Sequence, residues 1–134
     1  RDFLKEREQF GRPIAEFQGL QWIVADMAIQ IDAARLMVWR AAQSADMTDS
    51  GFPDPHLAAQ AKIFASETAV KVSNDALQLH GARGYSRRNP VERMLRDARM
   101  FTIGGGTAQM LRNLVAGKIL EMKTPQTRGG YMKS

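Results

Sequence analysis

Helical periodicity restricts the possible folds of this chain more than any other feature of its sequence. From Phe17 onward, mostly apolar residues recur at intervals of three and four, which places them on one face of an α-helix. The positions on this face are Phe17, Leu20, Gln21, Val24, Met27, Ala28, Ile31, Ala34, Arg35 and Val38. A helix that continues to about Ala45 is roughly 40 Å long at 1.5 Å per residue. The spacing therefore predicts one long helix with a face suited to packing.

Three further helices are predicted after this one. A second long helix extends from His56 to about Leu79, followed by a short helix from Pro90 to Thr102 with Asn89 as its N-cap. The last helix runs from Ala108 to Met122. The second helix carries a narrow stripe of small residues, Ala58, Ala61, Ala65 and Ala69. On the short helix, the apolar residues expected to point inward are Met94, Leu95, Ala98 and Phe101. On the last helix, the expected apolar positions are Met110, Leu111, Leu114, Val115 and Ile119.

These patterns predict an all-α fold, because no segment shows sustained alternation of apolar and polar residues. Two long helices, a terminal helix and the stub of another fit an antiparallel four-helix bundle made by a single domain, residues 1–134. Residues 1–10 have helical character without an N-cap, and we interpret them as the end of a truncated first helix. Gly11 and Pro13 then end it. Residues 124–134 are expected to form a loose tail.

The composition excludes several classes of site. The chain has no cysteine and two histidines, so it has no disulfide, thiolate metal site or cysteine nucleophile, and no metal is expected. No apolar run approaches the ~20 residues of a membrane span, and we expect a soluble intracellular protein. The net charge is +5. A basic helical nucleic-acid-binding module is disfavoured because the arginines alternate with acidic residues and lack interleaved aromatic residues.

A run of three glycines within residues 103–109 (IGGGTAQ) separates the short helix from the last one. Glycines at the start of a helix leave backbone N–H groups accessible, and a ligand can approach them closely. Thr107 and Gln109 add side-chain hydrogen-bonding groups at the same place. On these residues alone, the stretch is either a sharp turn between two helices or a binding site for an anion or a flat cofactor.

Four stretches of the chain, in order and spacing, resemble the C-terminal helical domain of the acyl-CoA dehydrogenases. They are residues 7–14 (REQFGRPI) with 17–18 (FQ), residues 25–28 (ADMA) with 33–35 (AAR), residues 78–85 (QLHGARGY), and residues 90–93 (PVER) through 96–98 (RDA) to 105–107 (GGT). One such motif is a weak indication, whereas four in register from the first residue to about Lys118 are a strong match.

The resemblance implies a flavoprotein that binds FAD and oxidises an acyl-CoA thioester to the trans-2-enoyl-CoA, with hydride transfer to the flavin. A carboxylate removes the α-proton in such a reaction. The resemblance also implies an electron-transfer flavoprotein as acceptor and a homo-oligomer built as a dimer of dimers. The protein would be cytoplasmic in a bacterium or lie in the mitochondrial matrix of a eukaryote. The chain alone is expected to be inactive, since the family's other two domains complete the active site.

The resemblance also assigns roles to individual residues. Arg7 corresponds to an arginine that contacts the FAD pyrophosphate, for which a guanidinium is suited. Gln78, Gly81 and Ala82 correspond to a segment against the adenosine half across a subunit interface, with Ala82 where the family usually has glycine. The remaining residues with implied cofactor contacts are Gln9, Phe10, Gln18, Gly106, Thr107 and Gln109. The residues that we interpret as structural are Asp26, Arg35, Arg93 and Asp97, expected to pair within the bundle or across subunits, and His80, expected in a loop or interface.

Gly105 departs from the family pattern. Many members have their catalytic glutamate at this position, and glycine cannot accept a proton. Gly104 likewise replaces an aromatic residue, so both glycines are expected beside the substrate. Isovaleryl-type and long-chain-type enzymes instead have the glutamate on the preceding helix, and our hypothesis is a base upstream of Arg1. The alternatives are a subunit that binds FAD without its own base, a flavin monooxygenase-like relative, and a module that serves only assembly.

Overall fold

A computed structural model describes residues 1–123, and these residues are largely helical. Within this range the helices are α1 (Asp2–Glu6), α2 (Gln18–Gln43), α3 (Pro55–His80), α4 (Ala82–Tyr85), α5 (Val91–Met100) and α6 (Ala108–Ile119). Two short strands, β1 (Glu8–Gln9) and β2 (Arg12–Pro13), lie between α1 and α2. The all-α class expected from the periodicity is confirmed. The tail expected at residues 124–134 lies outside the described residues.

The two long helices begin and end within about two residues of their predicted limits. α3 starts after Asp54, whose carboxylate accepts a hydrogen bond from the backbone N–H of Leu57 at 2.9 Å. This bond satisfies one of the free amides of the first turn and lowers the pKa of the Asp54 carboxyl. α3 ends at Gly81, whose φ of 57° and ψ of −139° fall in a region that favours glycine.

Helix α3 is the central element of the described chain. It packs against α2 along one side and against α5 and α6 along another, while α1 and α4 contact its C-terminal end. Small residues on α3, including Ala59, Ala61, Ser66 and Thr68, are buried. Of the predicted small-residue stripe only Ala61 is buried, because the packed faces of α3 point toward more than one neighbour. The close approach of helices on several sides of α3 depends on these short side chains.

Residues 7–10 differ from the prediction of a continuous first helix. α1 ends at Glu6, and β1 pairs with β2 as an antiparallel ribbon in which Glu8 lies opposite Pro13 and Gln9 opposite Arg12. Phe10 and Gly11 form the two-residue turn, with φ values of 55° and 75°. Such a turn needs positive φ at both positions, which glycine adopts readily and phenylalanine does not. The prediction that residues 1–10 end a helix is therefore wrong for residues 7–10, and Arg7 and Gln9 lie on the ribbon segment.

The inward packing predicted for the shorter helices is correct only in part. Ala98 is buried and Leu95 is partly buried, but Met94 and Phe101 are 53% and 55% exposed. On α6 the side chains of Met110, Leu114 and Ile119 are exposed as well. Each of these helices contacts α3 through a narrow face, so several of its apolar residues remain largely exposed within residues 1–123. The apolar surface of this chain exceeds what the chain itself covers.

An ion pair joins α6 to α3. Arg112 Nη2 lies 2.7 Å from Glu67 Oε2, and the pair is partly exposed to solvent. The hydrogen bond from Arg112 lowers the pKa of the Glu67 carboxyl. Because the folded pKa lies below the unfolded one, the pair stabilises the fold above the unfolded pKa of about 4.3, and this contribution is lost as the pH falls through the lower folded pKa.

We expect Glu67→Gln to loosen the contact between α3 and α6 at pH 7. An exposed pair contributes at most about 1 kcal/mol, so amide hydrogen exchange in α6 should accelerate by no more than about fivefold. Exchange measured by mass spectrometry should show this effect at pH 7, and a melting curve should show no difference from the unchanged protein below the folded pKa of Glu67. Glu6→Gln, on α1, is the control. Equal exchange rates in the two variants at pH 7 would contradict the assignment.

Candidate functional site

A cleft of about 250 Å³ lies at the C-terminal end of α3, where the ribbon segment folds against it. We call it the α3-end cleft. Five residues with an implied cofactor role line it together, namely Arg7, Gln9, Gln78, Gly81 and Ala82. They meet because Leu4 and Ile14, on either side of the ribbon, pack with Leu79 in a buried cluster. Residues separated by about 70 positions in the sequence are thus neighbours in this cleft.

The walls of the α3-end cleft are fixed by aromatic and hydrogen-bonding contacts. The His80 ring stacks on Phe3 with centroids 4.5 Å apart, and His80 Nδ1 lies 2.8 Å from the carbonyl oxygen of Ala76. His80 is the last residue of α3 rather than a loop residue, and its predicted place at an interface stays a prediction. Within residues 1–123 no carboxylate pairs with the exposed guanidinium of Arg7. The cleft thus has an available cation at its edge.

Phe10 and Gln18 lie outside the α3-end cleft. Phe10 is 92% exposed at the tip of the ribbon and makes an edge-on contact with Phe17, with ring centroids 6.1 Å apart. Gln18 is the exposed first residue of α2. The structure does not bring these two side chains to Gln78 or to the glycines. Any ligand that they contact must extend beyond the cleft.

The glycine loop, residues 103–107, connects α5 to α6. Gly105 and Gly106 have φ values of 68° and 87°, in the left-handed region that favours glycine. Thr107 caps α6, since its hydroxyl accepts a hydrogen bond from the N–H of Met110 at 3.2 Å. Among residues 1–123 the N–H groups of Gly105, Gly106 and Thr107 have no protein acceptor. The accessible amides expected from the sequence are therefore present in this loop.

A second cleft, of about 390 Å³, lies beside the glycine loop and is called the loop cleft here. It contains Thr107 and Gln109 but none of the residues of the α3-end cleft. Its other lining residues are Glu67, Val70, Lys71, Asn74, Leu95, Arg99, Thr102, Ile103 and Ala108. Sequence reasoning missed the polar members on α3, although Glu67, Lys71 and Asn74 have the four- and three-residue spacing of one helix face.

The carboxylates in and near the loop cleft are engaged in ion pairs. Glu67 pairs with Arg112, which lowers the pKa of its carboxyl, and Asp75 pairs with Lys71 at 2.8 Å. A carboxylate with a lowered pKa is a weak general base. The described residues also contain no group of three or more His, Asp or Glu side chains that could bind a metal ion. The loop cleft can therefore donate hydrogen bonds but is poorly equipped to remove a proton.

The two glycines expected beside the substrate differ in their surroundings. A Cβ added at Gly104 would lie 3.0 Å from Met100 Sδ, so an aromatic side chain there requires Met100 to move. A Cβ added at Gly105 would meet no atom within 4 Å, yet the positive φ of Gly105 disfavours any side chain. Limited space therefore favours glycine at Gly104, and the backbone conformation favours it at Gly105.

The residues interpreted as structural lie on helix surfaces. Arg35 donates to Asp32 at 3.1 Å on α2, and Asp26 is exposed on the same helix. Arg93 and Asp97 are exposed on α5. The pair that α5 does form joins Glu92 and Arg96, with Nε and Oε2 3.0 Å apart.

No described helix is long and apolar enough to cross a membrane.

Comparison with known proteins assigns the family. The family model described as "Acyl-CoA dehydrogenase, C-terminal domain" matches residues 1–120. The chain belongs to the acyl-CoA dehydrogenase family. This domain is 67% identical to a 3-sulfinopropanoyl-CoA desulfinase of Advenella mimigardefordensis, over 98% of the chain and 32% of the relative. The chain thus spans about a third of the length of that relative.

Solved structures agree with this assignment. The domain superposes on butyryl-CoA dehydrogenase from Megasphaera elsdenii with a TM-score of 0.83 and 39% identity, covering 89% of the chain and 30% of that structure. It also superposes on an FAD complex of PigA with a TM-score of 0.80 and 29% identity, covering 88% and 30%. The acyl-CoA dehydrogenase domain therefore keeps its fold across relatives whose names describe different proteins.

The close contact between α4 and α3 provides a test of how the α3-end cleft is shaped. A Cβ added at buried Gly84 would lie 2.7 Å from the carbonyl oxygen of Leu77 and 2.8 Å from His80 Cβ. We expect Gly84→Ala to destabilise the domain by about 1–3 kcal/mol and to lower its melting temperature by several degrees. Gly19→Ala is the matched control, because a Cβ there meets no atom within 4 Å. Equal melting temperatures for the two variants would contradict this packing.

Proposed function

We propose that this domain binds FAD and supports oligomerisation in a flavoprotein that removes the sulfinate group from 3-sulfinopropanoyl-CoA. The glycine loop is the observation that carries the proposal. The position at which many family members have a catalytic glutamate is Gly105, and the neighbouring carboxylates are engaged in ion pairs. The 67% identity with a desulfinase of that substrate supports the same reaction for this protein.

The residues present fit FAD. Its pyrophosphate is an anion, and the unpaired guanidinium of Arg7 can bind it with two parallel hydrogen bonds. Gln78, Gly81 and Ala82 line the same cleft and leave room for the adenosine half. At the loop cleft, the free amide of Thr107 and the side chain of Gln109 can donate to the polar edge of the flavin. When bound, FAD supplies a centre that can accept or return a hydride.

The separation of the two clefts supports an oligomer. They share no lining residue, so one FAD reaches both only if it extends along the surface or if a second subunit contributes one of them. The resemblance implies that the segment around Gln78 contacts the FAD of a neighbouring subunit. Exposed apolar residues on α2, such as Trp22 at 62% and Trp39 at 61%, give a second chain or another domain a surface to cover. These features favour the expected homo-oligomer.

Loss of a sulfinate group suits a site without a general base at position 105. The carbon–sulfur bond breaks, the carbon takes up a proton, and the sulfur leaves with an oxygen from water as sulfite. The products are propanoyl-CoA and sulfite, and no external electron acceptor is consumed. In this chain Arg7, Gln78 and the loop amides bind and orient, while the carboxylates in and near the loop cleft are engaged in ion pairs.

Dehydrogenation of an acyl-CoA to the trans-2-enoyl-CoA is the second candidate. The similarity to butyryl-CoA dehydrogenase favours it. It requires a carboxylate outside this chain, upstream of Arg1, and an electron-transfer flavoprotein as acceptor. The Advenella desulfinase is bacterial, which favours a cytoplasmic protein over a mitochondrial one. No described feature specifically favours the assembly-only, monooxygenase-like or nucleic-acid-binding alternatives.

The two candidates differ in their products and in their need for an acceptor. We expect the complete flavoprotein to release sulfite and propanoyl-CoA in equal amounts from 3-sulfinopropanoyl-CoA without an added electron acceptor. Butanoyl-CoA, which lacks the sulfinate, is the control and should not bleach the flavin. Sulfite can be measured with a thiol-exchange dye and the thioesters by chromatography. If butanoyl-CoA bleaches the flavin and 3-sulfinopropanoyl-CoA releases no sulfite, the reaction is dehydrogenation instead.

A further inference from the structure

Lys62 connects the middle of α3 to the glycine loop. Its Nζ donates a hydrogen bond to the carbonyl oxygen of Gly106, 44 positions away in the sequence. Lys62 is partly buried, and within residues 1–123 it has no carboxylate partner. None of the motifs that resemble the family includes it. The only described hydrogen bond of this ammonium group therefore goes to the loop backbone.

We infer that Lys62 is a positioning residue that directs the N–H of Thr107 toward the flavin, an inference that rests on the proposed binding of FAD. In a trans peptide the C=O and the N–H of the same bond point in opposite directions, and the described chain has no cis peptide. A donor fixed on the Gly106 carbonyl therefore turns the Thr107 amide away from Lys62. This amide has no protein acceptor among residues 1–123 and is free to bind a ligand.

The loop needs such a contact because its own backbone is poorly constrained. Gly105 and Gly106 adopt positive φ, and glycine can change between several backbone regions at small cost. Without Lys62, the peptide between Gly106 and Thr107 can rotate and withdraw its amide from the ligand. The hydrogen bond from Lys62 selects one orientation before the ligand arrives, which reduces the entropy that binding must overcome.

Helix α6 has contacts with the rest of the domain that do not involve Lys62. Arg112 on α6 pairs with Glu67 on α3 at 2.7 Å. The N–H of Ala108, which is 2% exposed, donates to the carbonyl of Thr102 at 2.9 Å. The bond from Ala108 to Thr102 joins the residues before and after the glycines, and the two contacts together hold the start of α6 in place. Lys62 therefore controls one peptide plane and the charge beside it rather than the packing of the bundle.

The test compares three variants of the complete flavoprotein. Lys62→Met removes the donor and the charge, Lys62→Arg keeps both, and Lys118→Met removes an exposed cation from α6 as a control. We expect Lys62→Met to raise the dissociation constant of FAD about tenfold, in line with the loss of one charge-assisted hydrogen bond. Its flavin absorbance bands should shift, and the reduction potential should become more negative because a nearby positive charge is lost. Lys62→Arg should restore most of the affinity, and Lys118→Met should match the unchanged protein.

FAD affinity, the flavin spectrum, the melting temperature and sulfite release together decide the outcome. Unchanged FAD affinity and flavin spectrum in Lys62→Met would overturn the inference. So would a lowered melting temperature of FAD-free Lys62→Met together with unrestored affinity in Lys62→Arg, because the role would then be structural. If the unchanged flavoprotein binds no FAD, the proposed function fails and the inference fails with it. If it binds FAD and releases sulfite while Lys62→Met behaves like Lys118→Met, the inference alone fails.

Discussion

The packing of several elements around one helix, α3, is the constraint on which the rest of this structure depends. Its buried small residues, such as Ala61 and Ser66, let neighbouring helices approach closely. The C-terminal end of α3 receives the ribbon segment with Arg7, and its middle receives the glycine loop through Lys62. Two clefts with different residues are thus positioned by a single rigid element. Substitutions along α3 are therefore expected to affect both clefts.

The glycine loop links this architecture to the chemistry. Left-handed φ values at Gly105 and Gly106 leave three backbone amides without a protein acceptor, and they also disfavour a side chain at the position where many relatives have their catalytic glutamate. The same backbone that exposes hydrogen-bond donors therefore favours glycine at position 105. The removal of a sulfinate group that we propose is compatible with such a loop, because this reaction needs no net transfer of electrons out of the substrate.

Much of the fold could be predicted from the sequence, because helix periodicity and caps are local signals. The two long helices follow from such signals. The turn at Phe10 and Gly11 could not be read in this way, since the phenylalanine adopts a backbone conformation that its side chain disfavours. The family resemblance related Arg7 and Gln78 to the same cofactor, but their meeting in one cleft is a long-range contact that periodicity does not predict. The hydrogen bond from Lys62 to the Gly106 carbonyl joins residues that are 44 positions apart, and Lys62 belongs to no motif, so no sequence pattern predicts it.

The central claim is that the α3-end cleft binds the FAD pyrophosphate through Arg7. The most direct test is the dissociation constant of FAD for the complete flavoprotein with Arg7→Ala, measured by equilibrium dialysis. Arg40→Ala, which removes an exposed arginine of α2, is the matched control. Loss of a bidentate, charged contact should weaken FAD binding by roughly tenfold or more relative to the control. Equal affinity in the two variants would contradict the account.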